Sequence, residues 1–137
     1  MKRLGLAIVT GWLALLVAGC SSGSQPTSQA PAQPRIRSTA TLAIVEPMSG
    51  QVVEGSKVRV RLKLTGGRIV PQTTTAISPD EGHIHLIIDG KNVSMTYGLD
   101  QEVEVPKGRH LLEAEFVAAD HFPFNPRILS SVVITSQ

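Results

Sequence analysis

The chain has a single cysteine among its 137 residues, so an internal disulfide is excluded, as are a CxxC zinc ribbon and a thioredoxin-type redox site. Its only aromatics are Trp12, Tyr97, Phe116, Phe122 and Phe124. That is too few for a stacking platform that binds single-stranded nucleic acid. No apolar run is long enough to span a bilayer comfortably. There is no P-loop, no Rossmann glycine fingerprint and no His-Glu-x-x-His. A Gly-x-Ser-x-Gly elbow is also missing. Charge of one sign is not in excess either. Lys2 and Arg3 aside, the 13 Lys+Arg fall to 11, equal to the 11 Asp+Glu. The basic isoelectric point of the whole chain therefore argues neither for nucleic acid nor for an acidic partner. With 42% hydrophobic residues and room for one domain, the sequence belongs to a folded protein.

What is present begins with an address. Lys2 and Arg3 precede an apolar stretch, Leu4 to Val17, which ends in Val17-Ala18-Gly19-Cys20. A basic start, a short apolar run, small residues and a polar tract after them are the anatomy of an export signal. The tetrapeptide resembles a bacterial lipobox. That resemblance implies cleavage after Gly19, so that residues 1–19 are a lipoprotein signal peptide. It also implies diacylglyceryl (palmitate-type) modification of Cys20 and anchoring in a membrane of the cell envelope. Two or more acyl chains hold a protein at a bilayer stably. The residue after Cys20 is Ser21 rather than Asp, which by the same resemblance points to the outer membrane of a two-membrane envelope. In a one-membrane envelope the protein faces outward from the plasma membrane.

Residues 20–38 form the expected tether. Ser21 to Ser38 is rich in Ser, Pro, Gln and Ala and has no apolar period. As a flexible coil it reaches on the order of 25 Å. Arg35 and Arg37 lie in it as solvated linker residues.

From Thr39 to Gln137 the texture is that of strands. Lys57 to Leu64 alternates strictly, with Val58, Val60, Leu62 and Leu64 on one face and four cations on the other. Period two makes it a half-buried strand, its basic stripe a wet outer face. Further strands are expected at 41–46, 82–89, 93–97, 102–105, 109–117 and 128–135. Asp89-Gly90 marks a tight hairpin turn. Long loops cover 65–82 and 118–127. No segment has a helical period. Seven or so short strands in about 100 residues predict an all-β fold, an antiparallel immunoglobulin-like β-sandwich.

The candidate site residues are mostly histidines. His83 and His85 share a strand face, opposite Ile84, Leu86 and Ile88, so both imidazoles point away from the core. Pairing strand 82–89 antiparallel to 109–117 brings His83 near Ala118, Asp120 and His121. His110 then lies at the other end, up to about 36 Å away along an extended chain. Two readings stay open. In one, His83, His85 and His121 bind Zn²⁺ or Cu²⁺, with Asp120 or Glu81 as carboxylate ligand or outer partner. In the other, the same groups only hydrogen-bond the long loops together. Phe122, Phe124 and Asn125, in a proline-stiffened loop, are candidates for a partner-binding knob, or else cap the sandwich.

Gly82-His-Ile-His-Leu-Ile-Ile-Asp-Gly90, Gly108-Arg-His110 and Asp120-His121-x-Pro-x-Asn-Pro126 together resemble a group of small, functionally unassigned bacterial immunoglobulin-like domains. The likeness covers about residues 41–135. It implies the fold and no activity. The functional expectation is a non-catalytic binding or adaptor module tethered to the envelope, engaging a protein or glycan. The alternative is a metal-binding lipoprotein. No cofactor beyond that ion, no nucleic acid and no enzymatic activity are expected.

Overall fold

The structure is a computed structural model that describes residues 34–137. The expected signal peptide, Cys20 and the first part of the tether lie outside the described residues.

Nine strands are present among the described residues. They are β1 (Thr41–Glu46), β2 (Val52–Val53), β3 (Lys57–Thr65), β4 (Arg68–Ile69), β5 (Glu81–Ile88), β6 (Lys91–Ser94), β7 (Asp100–Glu104), β8 (Gly108–Ala118) and β9 (Pro123–Ser136). One sheet has the order β1-β3-β7. The other runs β2-β9-β8-β5-β4, with β6 also on β5. All pairings are antiparallel except the two-residue strands β2 on β9 and β4 on β5. The architecture is an immunoglobulin-like β-sandwich.

Alternation explains which faces meet. Val58, Val60 and Leu62 of β3 are buried against Ile84, Leu86 and Ile88 of β5 and Leu112, Ala114 and Phe116 of β8. The outer side of β3 carries the cations. Lys57, Arg59 and Arg61 meet Glu102, Asp100 and Glu46 at 3.3, 2.5 and 2.7 Å. Exposed pairs of this kind contribute little to stability. They nevertheless account for the basic stripe as a charge-laddered wet face.

Three expectations need correction. The packed chain begins ahead of Thr39: Arg35 is hydrogen-bonded to residues 120–123 and Ile36 packs against the core. These residues lie in a Ser/Pro/Gln-rich stretch, and the hydrogen-bond partners of Arg35 are more than 80 positions away, beyond any local pattern. The loop expected at 118–127 is shorter, because Pro123 pairs with Val117. The register then breaks, and continuous pairing resumes at Ile128 opposite Phe116. Phe124 is no part of an exposed knob. It is 2% exposed, with its ring centroid 5.3 Å from that of Phe116.

His110 sits at the end of the sandwich away from the other histidines. The hairpin turn after β5 places Asp89 at φ 49° and Gly90 at φ 80°, the left-handed pair a tight type I′ turn requires. Asp89 accepts the Leu111 N–H at 2.9 Å and meets His110 Nδ1 at 2.6 Å. The carboxylate raises the His110 pKa above its ordinary 6.5, and the imidazole lowers that of Asp89. The clamp is therefore complete below pH 6.5 and is lost as pH rises through the raised His110 value. On the acid side it is lost as Asp89 protonates, below its ordinary 3.8. His110→Ala is expected to flatten the decline in thermal midpoint above pH 6.5. An unchanged decline in the variant would remove this clamp as its cause.

Candidate metal centre

Strand β5 is buried on both faces, although its sequence alternates. Its outer face carries His83 and His85, 0% and 8% exposed. They point away from the core as the period dictates, yet loops lie over them. Thr74 N–H donates to Ala119 O at 3.1 Å, joining the loop before β5 to the turn after β8. Tyr97 stands edge-on to His83 with ring centroids 5.6 Å apart.

The turn after β8 delivers the third imidazole. His121 N–H donates to Ala118 O at 2.9 Å, and His121 adopts φ 67°. Because β5 and β8 are antiparallel, with Gly82 opposite Ala118 and His83 opposite Val117, this turn rises beside His83. His83 Nε2 lies 2.8 Å and His85 Nε2 3.2 Å from His121 Nδ1. His121 Nε2 lies 2.8 Å from Thr73 Oγ1. Among the described residues, His83, His85 and His121 form a group whose ligand atoms all lie within 4.8 Å of one another.

Hydrogen-bond accounting makes this convergence unusual. If His121 donates its Nε2–H to Thr73, its Nδ1 offers one lone pair. That lone pair can accept from His83 or from His85; the other nitrogen then faces it without a proper bond. His83 Nδ1 is also buried without a hydrogen-bond partner. A single cation at the convergence point takes one lone pair from each ring and removes the competition at His121 Nδ1; His83 Nδ1 then carries that ring's N–H.

Electrostatics leave the rings ready to ligate. Burial, followed by the charges of His121 and His85, pushes the His83 pKa down to about 4, with Asp120 opposing. Burial and His121 lower that of His85, with Glu115 opposing. Both rings are thus neutral at pH 7. Glu115 lies opposite His85 in the β5–β8 register. It is held by Arg127 through two bonds of 2.6 Å.

The carboxylates expected beside the histidines are committed elsewhere. Asp120 accepts both arms of Arg35, at 2.7 and 2.9 Å, which hold its carboxyl below the usual range. Glu81 is paired with Arg68. Neither joins the three-imidazole group. Of the expected knob, Phe122 is 62% exposed, with the Arg35 guanidinium 5.5 Å from its ring centroid. Asn125 is exposed, and its N–H donates to Ile36 O at 3.0 Å. Sequence reasoning missed Thr73, Tyr97 and Arg35. Only the Arg35 charge, which with Arg37 is the sole charge in residues 21–38, hinted at any of them.

No family model matches the chain, and no curated protein matches it. Among solved structures, Clostridium thermocellum CbhA fibronectin(III)-like modules are similar at 14% identity and a TM-score of 0.47. The similarity covers 71% of this chain and 96% of that one.

Proposed function

We propose that this domain binds one Zn²⁺ or Cu²⁺ ion through His83 Nε2, His85 Nε2 and His121 Nδ1. The reading includes anchoring of the domain in a bacterial envelope through lipidated Cys20. The observation that carries the metal reading is the convergence of three imidazole nitrogens on one point, where His121 Nδ1 alone faces both His83 Nε2 and His85 Nε2. Three imidazole nitrogen donors without a carboxylate or thiolate suit Zn²⁺ and Cu²⁺ and disfavour Ca²⁺ and Mg²⁺. Tetrahedral Zn–N bonds of ~2.0–2.1 Å set nitrogens about 3.3 Å apart. The two distances to His121 Nδ1, 2.8 and 3.2 Å, lie close to that spacing, and all three ligand atoms lie within 4.8 Å of one another. With Nδ1 on the ion, His121 Nε2–H donates to Thr73 Oγ1 at 2.8 Å, and Thr73 is the outer partner that orients the ring. Three protein ligands leave a position for an exogenous donor, which suits holding an ion and handing it on.

The test is calorimetric titration of the full chain in detergent, with Cys20→Ser so that no thiol competes. One equivalent of Zn²⁺ or Cu²⁺ is expected to bind at sub-micromolar affinity. His83→Ala/His121→Ala is expected to abolish that uptake, and His110→Ala to leave it intact. Absent uptake, or uptake indifferent to the double substitution, would overturn the metal reading. The adaptor reading would then rest on Phe122, the exposed aromatic of the same turn region.

A further inference from the structure

We propose that residues 35–40 are a positioning strap for the three-histidine site, with Arg35 as its principal residue. This inference rests on the metal reading above. The strap holds both chain segments that bring the ligands together. At one end, the Arg35 guanidinium forks Asp120, the residue before His121, at 2.7 and 2.9 Å. The same guanidinium donates to Phe122 O at 3.1 Å and Pro123 O at 3.0 Å. Ile36 O accepts the Asn125 N–H at 3.0 Å. At the other end, Ser38 Oγ and the Thr39 and Ala40 N–H groups donate to Asp80 Oδ1 at 2.5, 2.6 and 3.2 Å. Asp80 immediately precedes β5 and stands three residues before His83. It adopts φ 61°, as His121 adopts φ 67°.

Both left-handed residues therefore lie at or beside the point where the strap is fastened. For non-glycine residues this conformation is uncommon and persists only where surrounding contacts over-determine it. Arg35 lies on no imidazole, so its effect on a bound ion passes through the backbone of residues 120–121. Planar fork-on-carboxylate pairing fixes orientation as well as distance, which a lysine cannot reproduce. Reciprocity follows: if the strap tightens the site for the ion, the ion tightens the strap by the same factor.

The experiment compares the full chain in detergent with its Arg35→Ala, Arg35→Lys and Arg59→Ala variants, all carrying Cys20→Ser. Arg59 pairs with Asp100 on the outer side of the other sheet and controls for loss of a surface ion pair. Zn²⁺ affinity is read by competition with a chelator. Amide exchange at Asn125 and Ala40 is read with and without Zn²⁺. Arg35→Ala is expected to weaken Zn²⁺ about tenfold, the low end for losing an outer partner of a ligand. Arg35→Lys should fall between it and the unsubstituted arginine, and Arg59→Ala should bind normally. Zn²⁺ should slow exchange at Asn125 and Ala40 in the Arg35 protein, and less so in Arg35→Ala. Undiminished affinity in both Arg35 variants, or exchange indifferent to Zn²⁺, would overturn the strap. Should Arg35→Ala fail to fold, Arg35→Lys carries the comparison. Failure of the Arg35 protein itself to bind Zn²⁺ would instead remove the metal reading, and the strap with it.

Discussion

Gly82→Ala is expected to destabilise the domain by about 3 kcal/mol or more, enough to unfold much of a marginally stable small protein. A Cβ at this position would lie 1.8 Å from Val117 O and 2.8 Å from Val117 C. Both obstacles are backbone, so no side-chain rotation relieves the clash. The strand cannot drift away, because Gly82 is paired on both edges. It faces Ala118 of β8 on one side and Ile69 of β4 on the other, where its carbonyl accepts the Val70 N–H at 2.8 Å. Relief requires β5 and β8 to separate where His83 meets the turn bearing His121. Gly90→Ala is the comparison. Gly90 has φ 80° with nothing within 4 Å of a Cβ, so its cost is the left-handed penalty of about 1 kcal/mol. Denaturant midpoints of the two variants check this. If Gly82→Ala unfolds no earlier than Gly90→Ala, the close approach of β5 to β8 does not hold.

Much of this arrangement was legible because it depends on period and pairing. The alternation of 57–64 set the buried face of β3, and Asp89-Gly90 set the turn after β5. Antiparallel pairing of β5 with β8 carried His83 to the turn before His121 and left His110 at the far end. The parts that were not legible depend on contacts distant in sequence. Nothing local in 34–38 shows that Arg35 meets Asp120. Burial of both faces of β5 also escapes periodicity, because the cover comes from loops whose paths the sequence does not specify. Asp120, adjacent to His121, looked like a ligand by proximity in sequence. The αL turn instead brings its carboxylate to Arg35 while His121 reaches the other rings.

Held metal-free in chelator, the domain is expected to lose up to about 3 kcal/mol of stability as pH falls from 6.5 towards 4. The sign follows from the depressed His83 pKa of about 4 against an ordinary value of 6.5. Burial disfavours the charged ring in the fold, whereas the unfolded chain accepts the proton freely near 6.5. Stability is therefore full above 6.5 and is withdrawn as pH falls through the window, levelling off below about 4. His85, shifted the same way, steepens the loss. The His110–Asp89 clamp has the opposite dependence, weakening as pH rises past 6.5. Together they place maximum stability between pH 6.5 and the raised value of His110. Unfolding midpoints from pH 4 to 8 for the unsubstituted protein and His83→Gln separate this from carboxylate protonation, which both share. The difference between the two curves should open below 6.5. Curves that stay parallel would mean that His83 is not held neutral by the fold. Because an ion needs the same lone pairs that a proton takes, stabilisation by added Zn²⁺ should fade as His83 and His85 become protonated. That competition is how such a site would release its ion on acidification.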